Sequence, residues 1–134
     1  LVKRLQQQHG ALTGVVHVAG GLDDAPLLAT DAERLQAVVH TKLGGAMALD
    51  AATAAQPPDL FVLFGSISGR LGVPGQAGYA AAHSALASFA TWRRQQRTGR
   101  TVLVDWGPWR DGGMLAAAQP VEAPRWLGTR TAQG

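Results

Sequence analysis

Leu60-Phe61-Val62-Leu63-Phe64-Gly65-Ser66-Ile67-Ser68-Gly69 passes from five apolar residues straight into a turn of mostly small ones. A short run of aromatic and branched residues without polar alternation predicts a strand covered on both faces, as in a parallel sheet. Two further segments read the same way: Gly14-Val15-Val16-His17-Val18-Ala19 upstream, and Thr101-Val102-Leu103-Val104-Asp105-Trp106 downstream. Between them the apolar spacing turns helical. From Asp31 to about Ala55 it falls on Leu35, Val38, Val39, Leu43, Ala46, Met47 and Ala48. Thr30 or Asp31 can cap that helix, and Pro57-Pro58 stops it. From Tyr79 to about Arg97, Leu86, Phe89 and Ala90 share a side, and Gly99 stands where a terminating glycine belongs. Leu1–Gln8 looks like the end of one more helix. Strands and helices in alternation predict an α/β fold: right-handed crossovers, a parallel sheet and helices on both of its faces.

Composition narrows the function. A chain of 134 residues has the length of one domain. With 46% apolar and 16% charged residues it is not a disordered segment. Cysteine is absent, which excludes disulfides, thiolate metal sites and cysteine nucleophiles. His9, His17 and His40 have no convergent ligand spacing, so no metal site is expected. No apolar stretch approaches the roughly 18 residues of a membrane span, and LVKRLQQQHG is not a signal peptide. A cytoplasmic chain without membrane or nucleic-acid partners is expected. The net charge of +3 is unevenly spread, with Arg93, Arg94, Arg97 and Arg100 in one stretch. That stretch is either a site for an anionic partner or a solvated helix end facing the dipole's negative pole. The second is the commoner meaning of such a run.

In open parallel sheets, ligands bind beyond the carboxyl ends of the strands. Here those ends are Ala19-Gly20-Gly21, Gly65-Ser66-Ile67-Ser68-Gly69 and Trp106-Gly107-Pro108-Trp109, whose small residues let a flat ligand approach the backbone. Ser66 follows its strand directly. It is not a nucleophile elbow, because G-x-S-x-G would need serine where Ile67 stands. Ser66 is better suited to donate a hydrogen bond, with Ser68 as the competing turn hydroxyl. Tyr79, the only tyrosine, opens a helix towards the same crevice, and His83 lies four residues on, on the same helix face. Lys42 is either a solvated helix charge or, beside the sheet's end, a cation that favours deprotonation of a phenol and binds a cofactor hydroxyl.

These residues carry a wider pattern. Val15–Asp24 (VVHVAGGLDD), then Lys42, Leu60–His83 (LFVLFGSISGRLGVPGQAGYAAAH) and Val104–Met114 (VDWGPWRDGGM) resemble the ketoreductase domain of modular type I polyketide synthases. The likeness spans about residues 10–115 in the family's order and spacing. It implies the short-chain dehydrogenase/reductase superfamily, a Rossmann-like doubly wound parallel sheet, and NADPH as hydride donor. The implied reaction reduces a β-ketoacyl thioester, carried by phosphopantetheine on an acyl carrier protein, to the β-hydroxyacyl thioester. Other polyketide synthase domains would be neighbours. By resemblance Tyr79 protonates the carbonyl oxygen, Ser66 hydrogen-bonds it, and Lys42 contacts the nicotinamide ribose and tunes the tyrosine. The same likeness puts Ala19, Gly20, Lys42, Tyr79, Gly107 and Pro108 against the cofactor.

One member departs from the pattern. The position four after Tyr79 is commonly asparagine in this family, but here it is His83, and the chain holds no asparagine at all. Histidine can still donate and accept hydrogen bonds, so His83 is expected to fill that place in the proton relay. The rival is an impaired reductase. Leu22-Asp23-Asp24 resembles the LDD motif of B-type domains, which favour the D-configured (R-type) hydroxyl. Asp24 and Leu71 are accordingly the stereocontrol candidates, Leu71 standing where A-type domains carry tryptophan. Ala81 lacks the proline of B-type domains that act on epimerised substrates.

Three alternatives stand beside this reading: a free-standing short-chain dehydrogenase, a non-reducing structural ketoreductase-like subdomain, and an anion-binding module. No G-x-G-x-x-G loop occurs, so the resemblance implies one partial domain, with the dinucleotide-loop half absent and residues 112–134 a lid or truncated tail. Such a fragment is expected neither to bind NADPH well nor to fold robustly alone.

Overall fold

A computed structural model describes residues 1–108. Trp109 and the expected lid or tail at 112–134 lie outside the described residues. The elements in chain order are α1 (Val2–His9), β1 (Gly14–His17), a 3-10 turn (Leu27–Ala29), α2 (Ala32–Val39), a π-helical turn (His40–Gly44), α3 (Gly45–Thr53), β2 (Leu60–Ser66), α4 (Ser68–Leu71), α5 (Ala77–Gln96) and β3 (Arg100–Trp106). The strands form one parallel sheet in the order β1-β2-β3. Phe61 lies opposite Val15 and Thr101, and Leu63 opposite His17 and Leu103. This is the Rossmann-like α/β sheet expected from the three apolar runs.

Strand sides alternate. Phe61 and Leu63 are fully buried with Ala46 of α3 and Leu86, Phe89 and Ala90 of α5. Sealing a large apolar side chain in this way is worth roughly 1.5–3 kcal/mol. The opposite side carries Val16 and Val18, each 57% exposed. Among the described residues α3 and α5 therefore pack on one face, not on both. The strand order explains it: β1, β2 and β3 advance in one direction, so two right-handed crossovers place their helices on the same side.

The helix expected over Asp31–Ala55 is present but not uniform. Asp31 caps it, accepting from the Arg34 amide at 2.9 Å. Its buried stripe is Val38, Lys42, Ala46 and Asp50, while Met47 and Ala48, expected in the apolar stripe, are exposed. A four-residue interval overshoots a full turn by about 40° in an α-helix. The wider turn at His40–Gly44 absorbs part of that drift and keeps the stripe in line.

α5 begins two residues before Tyr79, placing that residue within the first turn. The helix ends at Gln96, where Arg97 is extended (φ −126°), so Gly99 is not its cap. Gly99 has φ +78°, and a Cβ there would collide with the Pro58 carbonyl. It serves the close turn into β3 instead.

The arginine stretch is solvated only in part: Arg94 and Arg100 are exposed, whereas Arg93 and Arg97 are paired within the fold. Arg93 is 1% exposed. Its Nε donates to Asp50 at 2.9 Å and its Nη1 to the Thr101 hydroxyl at 2.8 Å. Its guanidinium lies 4.0 Å from the centre of the Phe61 ring. Arg97 donates to the same Asp50 carboxylate, and Arg94 to the Thr101 carbonyl. Two of the charges expected in solvent, Arg93 and Arg97, instead join α5 to α3, and Arg93 also reaches β3.

Candidate active site

Four candidate side chains meet around the carboxyl end of β2. Lys42 reaches there from the π-helical turn and is 4% exposed. Its Nζ donates to the Phe64 carbonyl at 3.1 Å and to the Val18 carbonyl at 3.4 Å, joining the ends of β2 and β1. An ammonium has three donors, so one remains for a ligand. Burial lowers the Lys42 pKa. A Cβ at Gly20 would lie 3.0 Å from both Cε and Nζ of Lys42, so glycine is what admits the cation.

Ser66 ends β2, and its Oγ accepts from the Ser68 amide at 3.2 Å. That contact assigns Ser68 a turn position and leaves the Ser66 hydroxyl proton to point elsewhere. The Ser66 hydroxyl is also near enough to the Tyr79 phenol to act on its pKa. Burial raises the phenol's pKa, the Ser66 hydroxyl opposes this, and the charge of Asp24 raises it further. The result is a phenol that keeps its proton at neutral pH. The charge of Lys42 acts instead on His83, whose pKa is lowered to about 4, first by burial and then by Lys42, with Asp105 opposing. The His83 ring stands 4.3 Å from that of Tyr79 at 52°, and both of its buried nitrogens lack a hydrogen-bond partner. Gly69 lets α4 pack closely on α5 here, since a Cβ at Gly69 would lie 2.9 Å from the His83 backbone.

The two aspartates after β1 have separate attachments. Asp23 pairs with Arg34 of α2, whose Nε donates at 2.7 Å. Asp24 accepts from Gln76 Nε2 at 2.8 Å, and the next amide, Ala25, donates to the Gly75 carbonyl at 2.9 Å. Asp24 is thereby held beside the start of α5, where its charge reaches Tyr79. Gln76 was not singled out from the sequence. Its position one turn before Tyr79 was the available signal.

Ala19, Gly107 and Pro108 are exposed at the ends of β1 and β3, open to a ligand. Leu71 ends α4 at 58% exposure, outside this hydrogen-bonded group. Among the described residues no helix is long and apolar enough to cross a membrane.

A parallel α/β sheet with serine, tyrosine and lysine gathered near its strand ends places polar groups where such sheets bind ligands. The KR domain family matches residues 1–111, and the chain belongs to that family. It is 40% identical over 119 residues to polyketide synthase PksN of Bacillus subtilis (strain 168), covering 85% of this chain and 2% of PksN. The ketoreductase from the first module of phoslactomycin biosynthesis in Streptomyces sp. HK803 superimposes with a TM-score of 0.77 at 43% identity, over 84% of this chain and 26% of that one. A ketoreductase domain from the bacillaene assembly line gives 0.79 at 36% identity, over 84% and 28%. The chain thus spans a small part of the proteins it resembles.

Proposed function

We propose that this chain supplies the catalytic side of an NADPH-dependent ketoreductase that reduces an acyl-carrier-bound β-ketoacyl thioester in polyketide biosynthesis. The observation that carries this reading is the convergence of Ser66, Tyr79 and Lys42 where the β1 and β2 strands end. The residues present fit the nicotinamide-ribose end of the cofactor: Lys42 has a donor to spare, Gly20 leaves room for its ammonium, and Gly107 is exposed at the end of β3. When bound, the cofactor supplies a hydride to the carbonyl carbon. Tyr79 gives its proton to the carbonyl oxygen, which gains negative charge as the carbon is reduced. Ser66 donates a hydrogen bond to that oxygen, and the Lys42 cation lowers the energy of the developing charge. A free-standing dehydrogenase is disfavoured by the likeness to synthase domains, and a purely structural subdomain by the assembled polar group. The setting we propose is cytoplasmic, among other synthase domains and an acyl carrier protein.

The direct test is oxidation of NADPH by the full domain with a β-ketoacyl thioester. Absence of turnover would refute the reading.

His83 fills the relay position as a neutral ring, because its pKa of about 4 leaves it uncharged across the working range. With one donor and one acceptor nitrogen it supports proton passage as an amide does. His83→Asn should therefore leave kcat within a few-fold, with no step in the pH–rate profile lost between about pH 5 and 8. A large gain in rate would mean that histidine impairs this enzyme.

B-type control is assigned to Asp24, held by Gln76 next to Tyr79. Asp24→Ala should lower the D-to-L product ratio about tenfold, the scale of one lost hydrogen bond. Chiral chromatography of the product reads this, and an unchanged ratio removes Asp24 from the role.

A further inference from the structure

We infer that His17 is a positioning residue for Lys42, acting through the backbone of the π-helical turn. His17 ends β1 on the helix-covered side of the sheet and is 3% exposed. Its Nε2 lies 2.8 Å from the Lys42 carbonyl, and because a carbonyl only accepts, that nitrogen carries the proton and donates. The same carbonyl accepts from the Gly45 amide, which also bonds the His40 carbonyl five residues back and so closes the wide turn. A Cβ at Gly45 would lie 2.9 Å from the His17 ring, so the turn is shaped to seat that ring. Lys42 is thus held at two places by β1. Its carbonyl is tied to the His17 side chain, and its ammonium to the Val18 carbonyl one residue on.

A wide turn inside a helix changes where its side chains point. Without a fixed partner, the turn can relax to regular α-helix and swing Lys42 away from the strand ends. His17 prevents this by holding the carbonyl of the very residue that must be aimed. Burial keeps the His17 pKa below the ordinary value, against the pull of the hydrogen bond. The ring stays neutral and adds no second charge beside the ammonium.

The inference rests on the proposed role of Lys42, and the experiment separates the two. In the full domain, His17→Leu retains bulk but loses the donor, whereas His17→Gln restores an N–H near the same place. Lys42→Met and Gly45→Ala complete the set. Each is assayed for kcat and KM, for NADPH affinity, and for the rate at which Lys42 is acetylated, read by peptide mass spectrometry. For His17→Leu we expect kcat/KM to fall about 10- to 100-fold, the cost of a small misplacement. Lys42 should be labelled several-fold faster. His17→Gln should recover most of both. Gly45→Ala should move both in the same direction as His17→Leu, and provides the test if that variant does not fold. Wild-type labelling and turnover in His17→Leu, with Lys42→Met inactive, would overturn the positioning role alone. Equal impairment of His17→Leu and His17→Gln at unchanged Lys42 labelling would also overturn it. An active Lys42→Met would instead overturn the role of Lys42 itself.

Discussion

Replacing Tyr79 by phenylalanine in the full domain is expected to lower kcat by about 10²–10⁴-fold, the usual contribution of a positioned acid. NADPH affinity should change little. The substitution keeps the ring that packs beside His83 and removes only the hydroxyl, on whose pKa Ser66 acts. Burial and the nearby Asp24 charge hold the phenol protonated, so the proton is in place before the substrate arrives. Ser66 and Lys42 would remain to polarise the carbonyl, which sets the residual rate above zero. A Tyr79→Phe enzyme as fast as the unmutated one would mean that the proton comes from elsewhere.

The second large effect concerns stability. Asp50→Ala removes the carboxylate shared by Arg93 and Arg97 and leaves the fully enclosed Arg93 guanidinium without its counter-charge. Loss of one member of a buried pair costs about 3–5 kcal/mol. Urea unfolding of the full domain followed by circular dichroism measures this. A cost below about 1 kcal/mol would place the pair with exposed bridges, which contribute little. Turnover per folded molecule should be preserved, since Asp50 sits two turns along the helix from Lys42.

Much of this architecture was legible beforehand. The three strands were readable because parallel strands enclosed by helices carry unbroken apolar runs, as Leu60–Phe64 does. That Ser66 and Tyr79 stand near the strand ends was readable from the glycine-rich turns there, whereas for Lys42, on a helix, the sequence left a solvated charge equally open. Arg93 and Arg97 were misread because their partner, Asp50, lies 43 residues from Arg93, and local sequence cannot report a distant counter-charge. The helices' single-face placement was missed because alternation fixes crossover handedness but not the direction in which strands are added. His17 was set aside because a strand histidine has no local signature of donating to a helix carbonyl. The π-helical turn has no compositional mark at all. It emerges only when the buried stripe of Val38, Lys42, Ala46 and Asp50 is seen at four-residue intervals.

The order of the strands bears on how the site comes into being. Lys42 belongs to the crossover between β1 and β2, whereas Ser66 and Tyr79 belong to that between β2 and β3. Each crossover is a self-contained strand-helix-strand unit, and β2 is the only strand they share. Neither unit contains the whole polar group. During folding the two halves can gain structure separately, but the ammonium meets the phenol's neighbours only after both have settled on the middle strand. On the proposed reading, completing the site therefore requires both crossovers in place on the middle strand.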